Sequence, residues 1–256
     1  MNDDAAEALL KRSFGNERRS RKTSEFIARD LVNFIVSENL PPGARLPTEK
    51  DMVEFFGVGR TTLREALRLL ETRGVITIRS GPRGGPVVRC PNASDLNEAL
   101  RLILQFEGAS VADVIEARRS FEPIVARLAA RQISQKSLER LQETIDAISA
   151  NLDDHRRFLM ENERFHSIVA ESSGSKVLRI FGETIKSLAD DALVSLDVTP
   201  ERRKDVALAH QRIVNALRDH DEDEAENMMR LHIDEAAGYW NRNFSDQASR
   251  PVRWVR

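Results

Sequence analysis

The strongest constraint on the fold is a run of turn and cap signals that divides residues 23–89 into three helices and a hairpin. A helical repeat begins at Thr23, with Phe26, Ile27, Leu31, Phe34 and Ile35 recurring at intervals of three and four. It stops at Leu40, because a residue preceding proline (here Pro41) is pushed out of the α region. Thr48 follows Pro47 as a good N-cap, with Asp51 three residues on. A short helix burying Met52, Val53 and Phe56 is therefore expected, ending at the sharp turn Gly57-Val58-Gly59. The next helix runs from Arg60 to about Arg73. Leu63, Ala66, Leu67 and Leu70 form its inner stripe, while Arg60, Arg64 and Arg68 share another face. Gly74 closes it. Val75–Ile78 reads as a strand, Ser80–Pro86 as a tight loop and Val87-Val88 as the return strand. Helix, short helix, three-residue turn, Arg-bearing helix and basic hairpin together make a winged helix-turn-helix.

Behind this head the chain changes character. Cys90 to Asp95 carries proline, asparagine and serine and reads as a linker, after which helical periodicity runs almost unbroken to about Asn243. Breaks near Gly108, Gln132–Ser137, Gly174 and Val198–Pro200 divide that stretch into six or seven helices. The fold class expected is mainly α, a winged helix-turn-helix followed by an all-α bundle. The domain reading is a flexible tail at 1–20, the DNA-binding domain at 21–89, a linker at 90–96, a helical effector-binding and dimerisation domain at 97–245, and a tail at 246–256. Charge divides the same way. Residues 1–90 hold 16 Lys and Arg against 12 Asp and Glu, whereas the remaining 166 hold 23 against 29, a split of +4 and −6 inside a net −2. A basic front and an acidic back fit two domains of which one meets a polyanion. The single Cys90 excludes an intrachain disulfide and suits a reducing compartment. The acidic start Met1-Asn2-Asp3-Asp4 does not read as a secretory signal, and no apolar run is long enough to span a membrane. A cytoplasmic protein without a membrane partner is expected.

The candidate DNA contacts follow from groove chemistry. The major groove admits one helix, and Arg can bridge the O6 and N7 of guanine. Arg60 and Arg64 lie near the N-terminus of the second helix of the motif, the end that reaches base edges. Thr61 and Thr62 offer short hydroxyl donors, and Lys50 lies early on the preceding helix, which crosses the backbone. Arg45 precedes that helix, and Arg79 and Arg83 flank the wing loop at Gly81, whose glycines allow close backbone approach to a groove. Three arginines on one helix face are, taken alone, an ordinary solvated surface. The surrounding motif is what gives them a DNA reading.

Five histidines occur in the chain. His166 shares a helix face with Phe158, Asn162, Phe165 and Val169, His210 with Val206, Ile213, Val214 and Leu217, and His232 with Ala225, Met228, Met229 and Ala236. Three histidines on the inner stripes of three helices are how metal sites are built inside bundles. Asn162 and His166, at i and i+4, would present two ligands from one turn. The same three histidines also fit hydrogen-bonded core residues, and periodicity alone leaves both readings open. His155 and His220 sit in charged stretches and are expected to be exposed.

The stretch "LPPGARLPTEKDMVEFFGVGRTTLREALRLLETRGVITIRSGPRGG" resembles the DNA-binding domain of the GntR family of bacterial regulators, over about residues 23–89. That resemblance places Lys50, Arg60, Thr61, Thr62 and Arg64 where family members contact DNA, with Gly81 at the wing tip. Gly59 departs from the pattern, since Thr or Ser commonly caps the recognition helix there. Residues 95–240 resemble the helical ligand-binding domain of the FadR subfamily, through "EARRSFEPIVARLAA", "NERFHSIVAESSGS" and "AHQRIVNALRDHDEDEAENMMRLH". In its metal-binding members an Asp and three His hold a divalent ion that helps to bind a small acid. The resemblance maps those positions to Asn162, His166, His210 and His232, with Asn162 in place of the more typical Asp. It also implies that Arg118 faces inward and can bind the same anion. The alternative for Arg118 is an i,i+4 ion pair with Glu122.

The expected function is regulation of transcription, as a repressor. A homodimer would read a short inverted repeat in double-stranded DNA, and a small anionic metabolite, a carboxylate, would bind at the metal. Zinc is the first choice of ion, because imidazole-rich sites favour it, with nickel or manganese as alternatives. Rival readings are a metal-dependent hydrolase, a purely structural metal and a plain architectural DNA binder. Against an enzyme, no carboxylate is placed as a general base beside the histidines, and Glu163 is turned one step round the helix from Asn162.

Overall fold

The computed structural model describes residues 23–81, 84–193 and 198–253. Arg83, read as flanking the wing loop, and most of the two terminal tails lie outside these residues. The described chain divides into two compact units, between Asp95 and Leu96, inside the stretch read as a linker.

The first unit is the expected winged helix-turn-helix. Helices α1 (Thr23–Ser37), α2 (Glu49–Phe56) and α3 (Arg60–Thr72) are followed by an antiparallel hairpin, β1 (Ile76–Arg79) and β2 (Gly85–Val88). The Thr48 hydroxyl accepts from the Asp51 amide while the Asp51 carboxylate accepts from the Thr48 amide, a reciprocal cap that starts α2. Gly57 ends it with φ 59°, a left-handed conformation that lets the chain reverse within three residues. Leu31, Phe34, Met52, Leu63, Leu67, Leu70 and Ile76 are fully buried and meet in one core. The sequence reading missed a small element here. Residues 43–46 run alongside β2, with Leu46 N–H donating to Pro86 O, Val88 N–H to Ala44 O, and Arg45 bridged to Val87. Proline at 41 and 42 and Gly43 hid it, because they read as turn rather than strand.

In the second unit seven long helices are present among the described residues: α4 (Ala93–Glu107), α5 (Val111–Ala130), α6 (Gln135–Ala150), α7 (His155–Ser172), α8 (Lys176–Leu193), α9 (Pro200–Arg218) and α10 (Glu222–Asn243). A short turn, α11 (Ser245–Ala248), follows. Helix α4 therefore begins inside the stretch 90–96 read as a linker. Ser110, Ser134, Asp154, Thr199 and Asp221 each accept from the amide three residues on, so α5, α6, α7, α9 and α10 all start at a side-chain cap. Helix α5 packs against α8 and α10, α6 against α7 and α9, and α9 against α10. The shared core holds Ala126, Leu141, Ile148, Phe165, Ile213, Leu217 and Met229. Within the stretch read as a C-terminal tail, Val252 is buried among Val114, Leu188, Leu100 and Leu104. Its N–H donates to Ala109 O and the Val111 N–H donates to Arg250 O, so this segment is paired to the α4–α5 turn.

Candidate functional site

The first unit presents a basic helix face. Arg60, Arg64 and Arg68 are exposed on α3, opposite the buried stripe Leu63, Ala66, Leu67 and Leu70. Gly59 caps α3 in extended backbone without a side-chain hydrogen bond, as expected of the residue that departs from the pattern. Thr61 is exposed and Thr62 half-buried at the N-terminal turn, while Arg45, Lys50, Arg79 and Gly81 are exposed. Arg64 carries a partner: its Nε donates to Glu49 Oε2 on α2 at 2.9 Å. That pair is open to solvent and weakly held, so Arg64 can exchange it for another acceptor. One wing glycine is also required locally. A Cβ on Gly84 would sit 2.2 Å from the carbonyl oxygen of Arg79, so the hairpin itself requires glycine there.

In the second unit the three inward histidines converge. His166 on α7, His210 on α9 and His232 on α10 are all buried, and one ring nitrogen from each lies within 4.8 Å of the others. Nε2 of His232 is 3.4 Å from Nε2 of His166. Two ligands 2.0–2.1 Å from one tetrahedral ion stand about 3.3 Å apart, so this spacing already suits a shared ion. The His210 ring lies flat on Phe165, with centroids 3.7 Å apart and planes 4° from parallel. Both nitrogens of His210 and Nδ1 of His232 are buried without a hydrogen-bond partner. Buried polar atoms are normally satisfied, and a cation would complete this set. Burial lowers the pKa of His166 against the opposing pull of the Glu122 carboxylate, and lowers those of His210 and His232 well below the ordinary value, where neighbouring rings add to the burial effect. The imidazoles are thus neutral near pH 7, the form that ligates a metal. Asn162 lies one turn before His166 on α7 and is half-buried.

Three features of this site differ from the sequence reading or go beyond it. A carboxylate does stand beside the histidines: Glu122 Oε2 is 2.6 Å from His166 Nδ1. The pattern hid it, because Glu122 lies on α5, forty-four residues upstream, and was visible only as the i+4 partner of Arg118. That pairing is present, with Arg118 Nε donating to Glu122 Oε1 at 2.5 Å. Burial alone would raise the Glu122 carboxyl, but Arg118 and His166 outweigh it and hold it well below the usual carboxylate range. Lys186, the second feature, is buried on α8 and lines a small cavity with Phe121, Glu122, His166, Ser167 and Met229. Leu178, Gly182 and Lys186 at spacing four are the only sequence signal for it. The cavity holds about 20 Å³, room for about one water. Third, His155 is half-buried with both ring nitrogens below the surface, whereas His220 is exposed as expected. A charged stretch does not say which side of a helix a given residue occupies.

A winged helix-turn-helix followed by a helical domain is the architecture of a DNA-binding regulator. Comparison with known proteins assigns the family. Residues 23–84 match the model "Bacterial regulatory proteins, gntR family", and residues 113–235 match the FCD domain. The chain is 30% identical over 250 residues to the HTH-type transcriptional repressor NanR of Cronobacter sakazakii, covering 94% of each chain. It is 29% identical to NanR of Klebsiella aerogenes, covering 93% of each. A solved structure of Streptococcus agalactiae GntR superposes with a TM-score of 0.63 at 27% identity, covering 84% of this chain and 99% of that one. The chain belongs to the gntR family of bacterial regulatory proteins, FadR subfamily, with an FCD-type helical domain. It is a transcription regulator and not an enzyme. Among the described residues no helix is long and apolar enough to cross a membrane.

Proposed function

We propose that this chain is a cytoplasmic transcriptional repressor whose grip on DNA is set by a small anion bound at a divalent metal ion. In this reading a homodimer places two copies of α3 in successive major grooves of an inverted repeat. Arg60 and Arg64 read base edges, Thr61, Thr62, Lys50 and Arg45 fix the register on phosphates, and Arg79 and the turn at Gly81 bring the wing to the backbone. The repressor relatives support the sign of regulation for this chain.

The observation that carries the sensor reading is the set of three buried, neutral imidazoles whose nitrogens converge without hydrogen-bond partners enough to satisfy them. His166, His210 and His232 hold the ion, with the Asn162 amide oxygen as fourth ligand. Zinc is the first choice, with nickel or manganese as alternatives. When bound, the ion supplies a Lewis-acidic point for a carboxylate oxygen. With a neutral amide at Asn162, where the family resemblance implies Asp, the ligand set adds no negative charge and leaves the ion's +2 for the effector to offset. The buried Lys186 adds a cation to the cavity wall, and Arg118 reaches that wall through its pair with Glu122. The cavity is small, so an effector larger than a few atoms must displace side chains along α8 to enter. Effector binding lowers DNA affinity only if the effector binds the two arrangements of the DNA heads with different affinity.

The test is metal analysis of untagged protein beside His210→Ala, followed by thermal shifts with small carboxylic acids and uncharged sugars. About one divalent ion per chain, absent from the variant, and stabilisation by acids that chelation removes, are expected. A metal-free wild type that also takes up no added zinc, or a tight sugar complex indifferent to chelator, would overturn the reading.

A further inference from the structure

We propose that Glu122 is a positioning residue that fixes the tautomer and ring orientation of His166, so that Nε2 of His166 faces the shared centre as a lone-pair donor. The inference rests on the metal reading for its consequence, but on geometry for its content. At 2.6 Å from Glu122 Oε2, Nδ1 of His166 cannot present a lone pair to a carboxylate oxygen without strong repulsion, so the proton of the neutral ring belongs on Nδ1. Nε2 is then unprotonated. It is also the nitrogen that stands 3.4 Å from Nε2 of His232, on the inner side of the cluster. Carboxylates that hold the far nitrogen of a ligating histidine in this way set both tautomer and basicity.

Glu122 is itself held. Its other oxygen accepts from Arg118 Nε at 2.5 Å, one turn back on α5, and both side chains are buried. The carboxylate therefore has little freedom to leave His166. Among the described residues neither of the other two rings has a carboxylate oxygen within 4.0 Å of a ring nitrogen, and His210 instead lies flat on Phe165. His166 is the ring whose tautomer is set by a charge, and Arg118 is the residue that holds that charge. An anion that draws Arg118 toward itself thus acts on a metal ligand through Glu122, so metal and anion occupancy become linked through a single carboxylate.

Two measurements test the proposal, and they fail separately from the metal reading. The first uses metal-free protein labelled with 15N-histidine. Long-range 1H–15N spectra, assigned with His166→Gln, are expected to show His166 protonated at Nδ1 and unprotonated at Nε2. A His166 ring protonated at Nε2, or an even mixture, overturns the proposal whatever the metal content. The second is zinc affinity by competition with a chromophoric chelator. Glu122→Gln is expected to weaken zinc about 10- to 100-fold, and to change the His166 ring signals while those of His155 and His220 stay in place. Equal zinc affinity in wild type and a folded Glu122→Gln variant overturns it too. If wild type takes no zinc, the metal reading falls, and the ring spectrum alone decides the role of Glu122. If Glu122→Gln does not fold, the wild-type spectrum decides in the same way.

Discussion

The DNA head and the helical bundle put their functional side chains in opposite environments. On the head, Arg60, Arg64 and Arg68 stand on the solvent face of one helix, and their positions follow from the spacing of the apolar residues behind them. In the bundle, His166, His210, His232, Glu122, Arg118 and Lys186 are buried and come from five helices. A surface that meets a polyanion needs charge in water and a rigid support. A centre that holds an ion needs dry, fixed donors whose cost of burial is offset by the ion they take. The head can therefore lose a contact and keep its fold, whereas the bundle's site is packed directly on its core, as His210 is on Phe165.

That difference can be broken most forcefully at Phe165. Its ring is fully buried in the bundle core and carries His210 on one face. Phe165→Ala should cost about 3–5 kcal/mol of bundle stability and release the His210 ring, read as a lowered bundle transition in chemical denaturation together with weaker zinc binding. Loss of stability with zinc affinity intact would separate core from site and undo the comparison.

Acid should distinguish the two units next. All five histidines lie beyond residue 95, and the head has none. The folded pKa values of His210 and His232 are depressed, so in the metal-free protein the folded state resists the protons that the unfolded chain accepts. Their contribution is fully present above the ordinary value of 6.5 and is lost as pH falls below it toward the folded values. The bundle's melting temperature should drop between pH 7 and 5 while that of the isolated head, residues 21–95, holds. An acid-sensitive head would show that other groups control the effect.

Arg64→Ala sharpens the comparison from the other side. It should weaken binding to the cognate operator by about 1–3 kcal/mol and relax specificity at one base pair, measured by titration of operator variants at fixed salt. Stability should barely move, since the Arg64–Glu49 pair is exposed. The smallest effect is expected at Gly59, which caps α3 without a side-chain hydrogen bond and where an added Cβ would meet no heavy atom within 4 Å. Gly59→Ser should stabilise the head by a few tenths of a kcal/mol, on the order of the Gly-to-Ser difference at N-caps, visible as a slightly raised denaturation midpoint.

Much of the head was legible because its determinants are local. Pro41, Thr48 with Asp51, Gly57 and Gly74 each act within a turn of chain: the structure starts α2 at Thr48 and ends it at Gly57, and ends α1 and α3 within four residues before Pro41 and Gly74. What escaped there was the pairing of residues 43–46 with β2, a contact across some forty residues made by backbone atoms that every sequence carries. In the bundle the inward faces of α7, α9 and α10 were legible from periodicity, and so was the coincidence of a histidine on each. Glu122 and Lys186 were not, since a charged residue on an apolar stripe reads the same whether it reaches solvent, a partner or a cavity. Val252 escaped for a related reason: the short terminus after Pro251 offers too few positions to show a period.

The sequence by itself determined the order and type of the main helices and the hairpin, the arginine face of α3, and which helix faces hold histidine. A helical repeat of 3.6 residues fixes the direction of each side chain relative to its own axis, and cap residues fix where each axis begins. Only the tertiary structure decided that the three imidazoles meet within 4.8 Å, that Glu122 stands behind His166, and that Lys186 turns into the same cavity. Those facts depend on which faces of α5, α7, α8, α9 and α10 pack together. That choice is made by close packing summed over the whole core, and no local pattern along the chain records it.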